Sequence, residues 1–117
     1  TTVRNRTGMT FKVRELRKAR VDKRQIFEWL HERSRPGAIA WLAAYDRLIE
    51  RLKSHADGFS EANENADLEM DVKEAFFKTH RGRIYRALFV IEADEVFILR
   101  VRGPGQGPVD DRDVELP

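Results

Sequence analysis

The segment that most constrains the fold lies between residues 76 and 102, where two apolar runs flank a short acidic turn. The runs cover residues 84–91 and 96–101, and the turn covers residues 92–95. This pattern predicts a β-hairpin. Because the first run is apolar on both faces, we expect it to lie centrally in a sheet that is covered on at least one side.

This apolar hairpin also contains five side chains that donate hydrogen bonds, namely Arg83, Tyr85, Arg86, Arg100 and Arg102. A guanidinium on a half-buried strand is costly unless it meets an anion. The sequence therefore predicts a surface that binds phosphate or acidic protein. An alternative stays open for Arg86, in which its guanidinium is buried and paired with a carboxylate such as Glu74. Arg100 is a candidate cross-strand neighbour of Arg86, and facing like charges would favour an anion between them.

The rest of the chain predicts one α+β domain. Residues 9–16 alternate as in an edge strand, residues 22–53 have the apolar spacing of a helical hairpin, and residues 68–78 return to period two. Asp22 is the expected N-cap of the first helix, and Pro36 fits the first turn of the second. We expect an N-terminal strand, the helical hairpin and then a three-stranded antiparallel meander, with the helices packed on one face of the sheet. The aromatic residues Trp29, Trp41 and Tyr45 are expected in the core.

Three segments are distinguished along the 117 residues. Residues 1–8 form an N-terminal extension, residues 9–102 form the folded domain, and residues 103–117 form a tail. The tail is acidic, rich in glycine and proline, and without a periodic apolar face. Its composition predicts a flexible or partner-dependent segment.

Charge is distributed unevenly along the chain. Residues 1–36 carry 11 Lys and Arg against 4 Asp and Glu, whereas residues 57–75 carry 1 against 7. The resulting cationic surface fits nucleic acid or an acidic partner, although an ordinary solvated surface would also account for it.

Several classes of site and location are not expected. The chain has no cysteine and no apolar stretch long enough for a membrane span, which fits a reducing cytoplasm. Its three histidines are too far apart for metal-ligand spacing, so no metal site is expected. No cofactor is expected either, because residues 103–107 lack the strand, helix and lysine of nucleotide-binding loops.

The order of these elements, together with three strings, resembles the RelE/ParE superfamily of toxins from bacterial type II toxin–antitoxin modules. The strings are Ala38 with Trp41-Leu42, the run GRIYRALF at 82–89, and Val96 followed by LRVRG at 99–103. The resemblance runs from about Phe11 to Gly103. It implies a small sheet that cradles a basic concave surface, which a cognate antitoxin neutralises. Two activities recur in the superfamily, cleavage of messenger RNA in the ribosomal A site and poisoning of DNA gyrase.

The resemblance also assigns roles to residues. Arg86 is the first choice for binding the scissile phosphate, and Arg102 and His80 complete the catalytic candidates. The candidates for substrate binding are Arg81, Arg83, Tyr85 and Arg100. An arginine is a poor proton shuttle at neutral pH, and the tail has no tyrosine or histidine. His80 is therefore the one residue near the hairpin expected to titrate usefully, and a lone turn histidine is commonly just solvated.

The leading expectation is a cytoplasmic toxin that acts as a metal-independent, ribosome-dependent mRNA endoribonuclease. One alternative is a non-enzymatic gyrase inhibitor, which could use basic residues of the helical hairpin such as Lys23, Arg24 and Arg33. The other is a catalytically inactive relative that only binds an antitoxin. The expected partners are the cognate antitoxin and either the ribosome with mRNA or DNA gyrase, with no membrane. The oligomeric state stays open between a homodimer and a hetero-oligomer with the antitoxin.

Overall fold

The computed structural model describes residues 10–64, 68, 70–110 and 112–115. The N-terminal extension predicted for residues 1–8 lies outside these ranges. The strands are β1 (Lys12–Glu15), β2 (Lys73–Phe77), β3 (Tyr85–Glu92) and β4 (Glu95–Arg102), and the helices are α1 (Arg17–Arg33) and α2 (Arg35–His55). Within the described ranges, neither helix is long and apolar enough to cross a membrane.

The four strands form one mixed sheet in the order β1-β4-β3-β2. Strands β2 and β3 pair antiparallel, as do β3 and β4, whereas β1 pairs with β4 in parallel. The helical hairpin carries the chain from β1 to β2 at the opposite edge of the sheet, and two antiparallel turns then bring β4 beside β1 in the parallel direction. The α+β class and the order of one strand, two helices and three strands are confirmed, and β3 lies centrally as its apolar run predicts.

The helices pack on one face of the sheet around an aromatic cluster. Trp41 and Tyr45 of α2 lie against Phe77 of β2 and Tyr85 of β3, with ring centroids 5.5–5.9 Å apart. The Tyr45 hydroxyl donates a 2.5 Å hydrogen bond to Glu15 of β1, and burial raises the pKa of Tyr45 far above its usual value. These contacts fix α2 against three strands.

The start of α1 differs from the prediction. The helix begins at Arg17, five residues before Asp22, and its N-cap Leu16 makes no side-chain capping bond. Asp22 lies inside the helix and is buried, so it does not act as the N-cap. Trp29, expected in the core, is 52% exposed and has the Arg33 guanidinium over its ring. The start of α2 agrees with the prediction, with Pro36 in its first turn and Ser34 accepting from the Gly37 N–H at 3.1 Å.

The other face of the sheet is covered by the loop before β2 and by the C-terminal segment. Val109 is 2% exposed and packs with Leu88, Val90 and Leu99 of the central strands, and Val114 packs at the margin of the same cluster. Val109 and Val114 of the C-terminal segment thus pack on the sheet, whereas residues 104–108 are exposed. The sequence pattern does not reveal this packing because isolated valines and polar contacts hold the segment, without a periodic apolar face.

The segment leaves β4 at Gly103, which touches the aromatic cluster. A Cβ at this position would lie 2.7 Å from Cε2 of Tyr85, whose ring is held by Trp41 and Phe77. We therefore expect Gly103→Ala to lower the free energy of unfolding by about 1–3 kcal/mol, as overpacking does elsewhere. Urea unfolding followed by tryptophan fluorescence measures this change. Gly58→Ala is the matched control, because a Cβ at Gly58 meets nothing within 4 Å. Equal stability of the two variants would contradict the expectation.

Candidate functional site

The arginines predicted to bind anions lie on the face of the sheet that the helices leave open. Arg86 of β3 pairs with Arg102 of β4 on one side and with Phe76 of β2 on the other. Arg100 lies two residues along β4, opposite Leu88. The cross-strand neighbour of Arg86 is therefore Arg102, and the candidate pairing with Arg100 is wrong by two residues, which keeps Arg100 on the same face of the sheet.

The Arg86 guanidinium is held by two carboxylates. Its Nη1 donates to Glu64 Oε1 at 2.9 Å and to Glu74 Oε1 at 3.2 Å, and its Nη2 donates to Glu64 Oε2. The hydrogen bond to Glu64 raises the pKa of Arg86, and the same bond lowers the pKa of Glu64 to about 2. Glu64 is 3% exposed and also accepts the Val109 N–H at 3.0 Å. The pairing with Glu74 left open by the sequence is therefore present, and Glu64 adds a second carboxylate.

The Arg100 guanidinium forms a bidentate pair with Asp22 of α1. Nε donates to Oδ2 at 2.7 Å and Nη2 donates to Oδ1 at 2.8 Å, while Asp22 Oδ2 also accepts the Val101 N–H at 2.9 Å. Nη1 donates to the main-chain oxygen of Asp113 at 2.8 Å. The hydrogen bond to Asp22 raises the pKa of Arg100. Arg100 thus ties α1, β4 and the C-terminal segment together, and each of its three nitrogens already donates to one of these partners.

Arg102 is the least engaged of the three strand arginines. Its Nη2 lies 3.7 Å from Asp113 Oδ2, and its buried Nε has no hydrogen-bond partner in the described part of the chain. Arg102 lines a cavity of about 430 Å³ beside Arg86. The other lining residues are Asn63, Glu64, Gly103, Gly107 and Pro108. An anion in this cavity would meet Arg102 and the flank of Arg86, with the Glu64 carboxylate opposing it.

The remaining predicted site residues lie elsewhere. Tyr85 faces the helices within the aromatic cluster, where burial raises its pKa, so its side chain is on the opposite face from Arg86. His80, Arg81 and Arg83 are exposed in the connection between β2 and β3 and do not line the cavity. The structure therefore places Arg86 and Arg102 side by side, with Arg100 two residues away along β4. The other predicted site residues lie apart from them, namely His80, Arg81, Arg83 and Tyr85.

Three carboxylates that organise this site were missed by the sequence analysis. The burial of Asp22 could have been inferred from helix spacing. Ala19 and Ile26 lie three and four residues away and both face the core, so Asp22 lies on the inward stripe of α1. Glu64 lies in a polar loop and Asp113 in the acidic tail, and neither segment has a periodicity from which burial could be inferred.

The chemistry available in the cavity is binding of an anion. Cleavage of RNA without a metal also requires a group that moves protons near neutral pH. Among the described lining residues the titratable ones are two arginines and Glu64, whose pKa of about 2 makes it a weak base. The described residues contain no cluster of His, Cys, Asp and Glu that could hold a metal ion.

Comparisons of the chain with protein-family models, with curated proteins and with solved structures find no match. The resemblance to RelE/ParE toxins therefore depends on the quoted strings and on the order of the elements.

Proposed function

We propose that this protein is the toxin of a type II toxin–antitoxin module, that it is of the RelE/ParE kind, and that it acts in the cytoplasm by binding a target protein. DNA gyrase is the leading target, and the cognate antitoxin is the second partner. The observation that supports a binding mechanism over RNA cleavage is the engagement of Arg86 and Arg100 by buried carboxylates.

The energetic argument concerns Arg86. To bind a scissile phosphate through both terminal nitrogens, Arg86 would have to break its hydrogen bonds to Glu64. The buried Glu64 carboxylate would then lose its partner. Breaking a buried pair in this way costs about 3–5 kcal/mol. The phosphate would have to offset that cost before any chemistry began. A protein that acts by binding needs neither a free Arg86 nor a proton shuttle.

A second candidate is the ribosome-dependent mRNA endoribonuclease, and the cavity beside Arg102 is the observation that favours it. Within the described residues the Arg102 Nε has no hydrogen-bond partner and its Nη2 lies 3.7 Å from Asp113, so this guanidinium could turn toward a phosphate at lower cost than that of Arg86. In this mechanism Arg102 would bind the phosphate and His80 would have to approach from the β2–β3 connection.

Two assays on the purified chain decide between these functions. We expect inhibition of gyrase supercoiling with accumulation of cleaved DNA complexes, and intact message when the chain is added to ribosomes paused on a defined mRNA. Cleavage of that message in the A site, abolished by Arg102→Ala, would replace the gyrase proposal with the endoribonuclease. Activity in neither assay, together with no growth defect on expression, would leave an inactive relative that only binds an antitoxin.

A further inference from the structure

The connection between β2 and β3 has cations without anionic partners. Lys78, Arg81 and Arg83 are exposed, and none of them forms an ion pair within the residues that the structure describes. Arg86 and Arg100, only a few residues away along the strands, are neutralised by carboxylates. The positive charge of Lys78, Arg81 and Arg83 is therefore available to a partner, whereas that of Arg86 and Arg100 is neutralised within the fold.

Two large apolar side chains flank these cations. Phe76 is 54% exposed and Ile84 is 57% exposed. Phe76 lies beside Arg86 on the face away from the helices. Ile84 directly precedes β3, where continuation of the alternation from Tyr85, which faces the helices, would place it on that same face. Exposed apolar groups surrounded by charge are typical of surfaces that bind another protein. Together Phe76, Lys78, Arg81, Arg83 and Ile84 form what we call the β2–β3 knuckle.

The knuckle lies at an edge of the sheet that is only partly covered. Strand β2 is the outermost strand, and its first half is bonded by the preceding loop, where Glu74 N–H donates to Ser60 at 2.9 Å and Glu61 forms a bridge with Lys73. Among the described contacts, this cover does not extend to Phe76 or beyond. The Phe76 main-chain oxygen accepts from Arg51 Nη2 at 3.5 Å, and a partner could reach the exposed side chains of the knuckle without displacing the preceding loop.

We infer that the β2–β3 knuckle is the surface that contacts the target, and that it binds an acidic protein segment with an apolar anchor. The inference rests on the proposed function, which makes the target a protein. Carboxylates of the partner would meet Arg81, Arg83 and Lys78, while an apolar side chain would pack between Phe76 and Ile84.

A protein segment fits the knuckle better than a nucleic acid does. Single-stranded nucleic acid is held by basic grooves in which successive aromatic rings stack on the bases. The knuckle offers one exposed phenyl ring, with the exposed imidazole of His80 in the same connection, and its second apolar group is the branched aliphatic side chain of Ile84, which has no flat face. Its three cations could bind phosphates, so the experiment also measures binding to RNA.

The test compares matched variants for binding to purified DNA gyrase holoenzyme, with a single-stranded RNA oligonucleotide as the second probe. The knuckle variants are Arg81→Glu with Arg83→Glu, and Ile84→Ser. Exposed interface charges act mainly on association, so we expect the double variant to lose about ten-fold or more in affinity at low salt and less at high salt. Ile84→Ser should dissociate about ten-fold faster with little dependence on salt. Far-ultraviolet circular dichroism confirms that each variant is folded.

The matched control reverses two exposed arginines of α2, Arg35→Glu with Arg47→Glu, which changes the net charge by the same amount. We expect it to retain binding. If wild type binds gyrase and the knuckle variants bind equally well, or if the control alone loses binding, the inference is overturned and the proposed function stands. If wild type binds RNA and not gyrase, or binds neither probe, the proposed function is overturned and the inference with it.

Discussion

Replacement of Asp22 by alanine is expected to destabilise the protein by about 3–5 kcal/mol, because it leaves the Arg100 guanidinium buried without its main carboxylate. Asp22 accepts three hydrogen bonds, two from Arg100 and one from the Val101 N–H. The loss should be visible as a lower midpoint of urea unfolding with little change in the slope of the transition.

Two further variants separate the charge of Asp22 from its shape. Asp22→Asn keeps an oxygen for Val101 and removes the charge, so it should be destabilised nearly as much as Asp22→Ala. Combining Asp22→Ala with Arg100→Met removes the guanidinium that has lost its carboxylate, and should therefore recover part of the lost stability. If the double variant is less stable than Asp22→Ala alone, Arg100 is stabilised chiefly by its contact with Asp113 and not by Asp22.

The same residue shows how much of this fold follows from sequence. Period-two and period-3.6 patterns predict the order of the elements and the central position of β3, because burial of apolar side chains sets both. The position of Asp22 could not be predicted from capping rules, since a helix N-terminus is also where an isolated aspartate is commonly found. Its actual partner lies 78 residues away in sequence, and single-sequence patterns contain no signal for contacts of that range.

The candidate site was predicted less completely than the fold. The arginines were found because cations on an apolar strand are conspicuous, and Arg86 with Arg102 are indeed adjacent. Their neutralisation was not predicted in full, because Glu64 and Asp113 come from segments whose composition predicts loops. A carboxylate in such a segment is buried only if the segment packs against the sheet. Here that packing depends on a few apolar residues such as Val109, and the sequence pattern does not show where they dock.

The most distinctive dependence on pH is expected from Glu64. Its pKa of about 2 lies below the ordinary value of 4.5, chiefly because of its hydrogen bonds to Arg86. A carboxyl group whose pKa is lowered on folding stabilises the folded state at pH values above its unfolded pKa, and this stabilisation is lost as the pH falls toward the folded value. The contribution of Glu64 should therefore be constant above about pH 5, on the order of 3 kcal/mol, and should decline between pH 4.5 and pH 2.

Glu64→Gln isolates this contribution. The variant should be less stable than wild type at pH 7, and the difference in free energy of unfolding should shrink steadily as the pH falls from 4.5 to 2, as measured by urea titrations at several pH values. Glu92→Gln is the matched control, because Glu92 is exposed at the hairpin turn and makes no ion pair within the described residues. It should follow the wild-type curve. A difference between wild type and Glu64→Gln that stays constant down to pH 2 would mean that Glu64 acts through its packing and its bond to Val109, and that Arg86 is free to bind another anion.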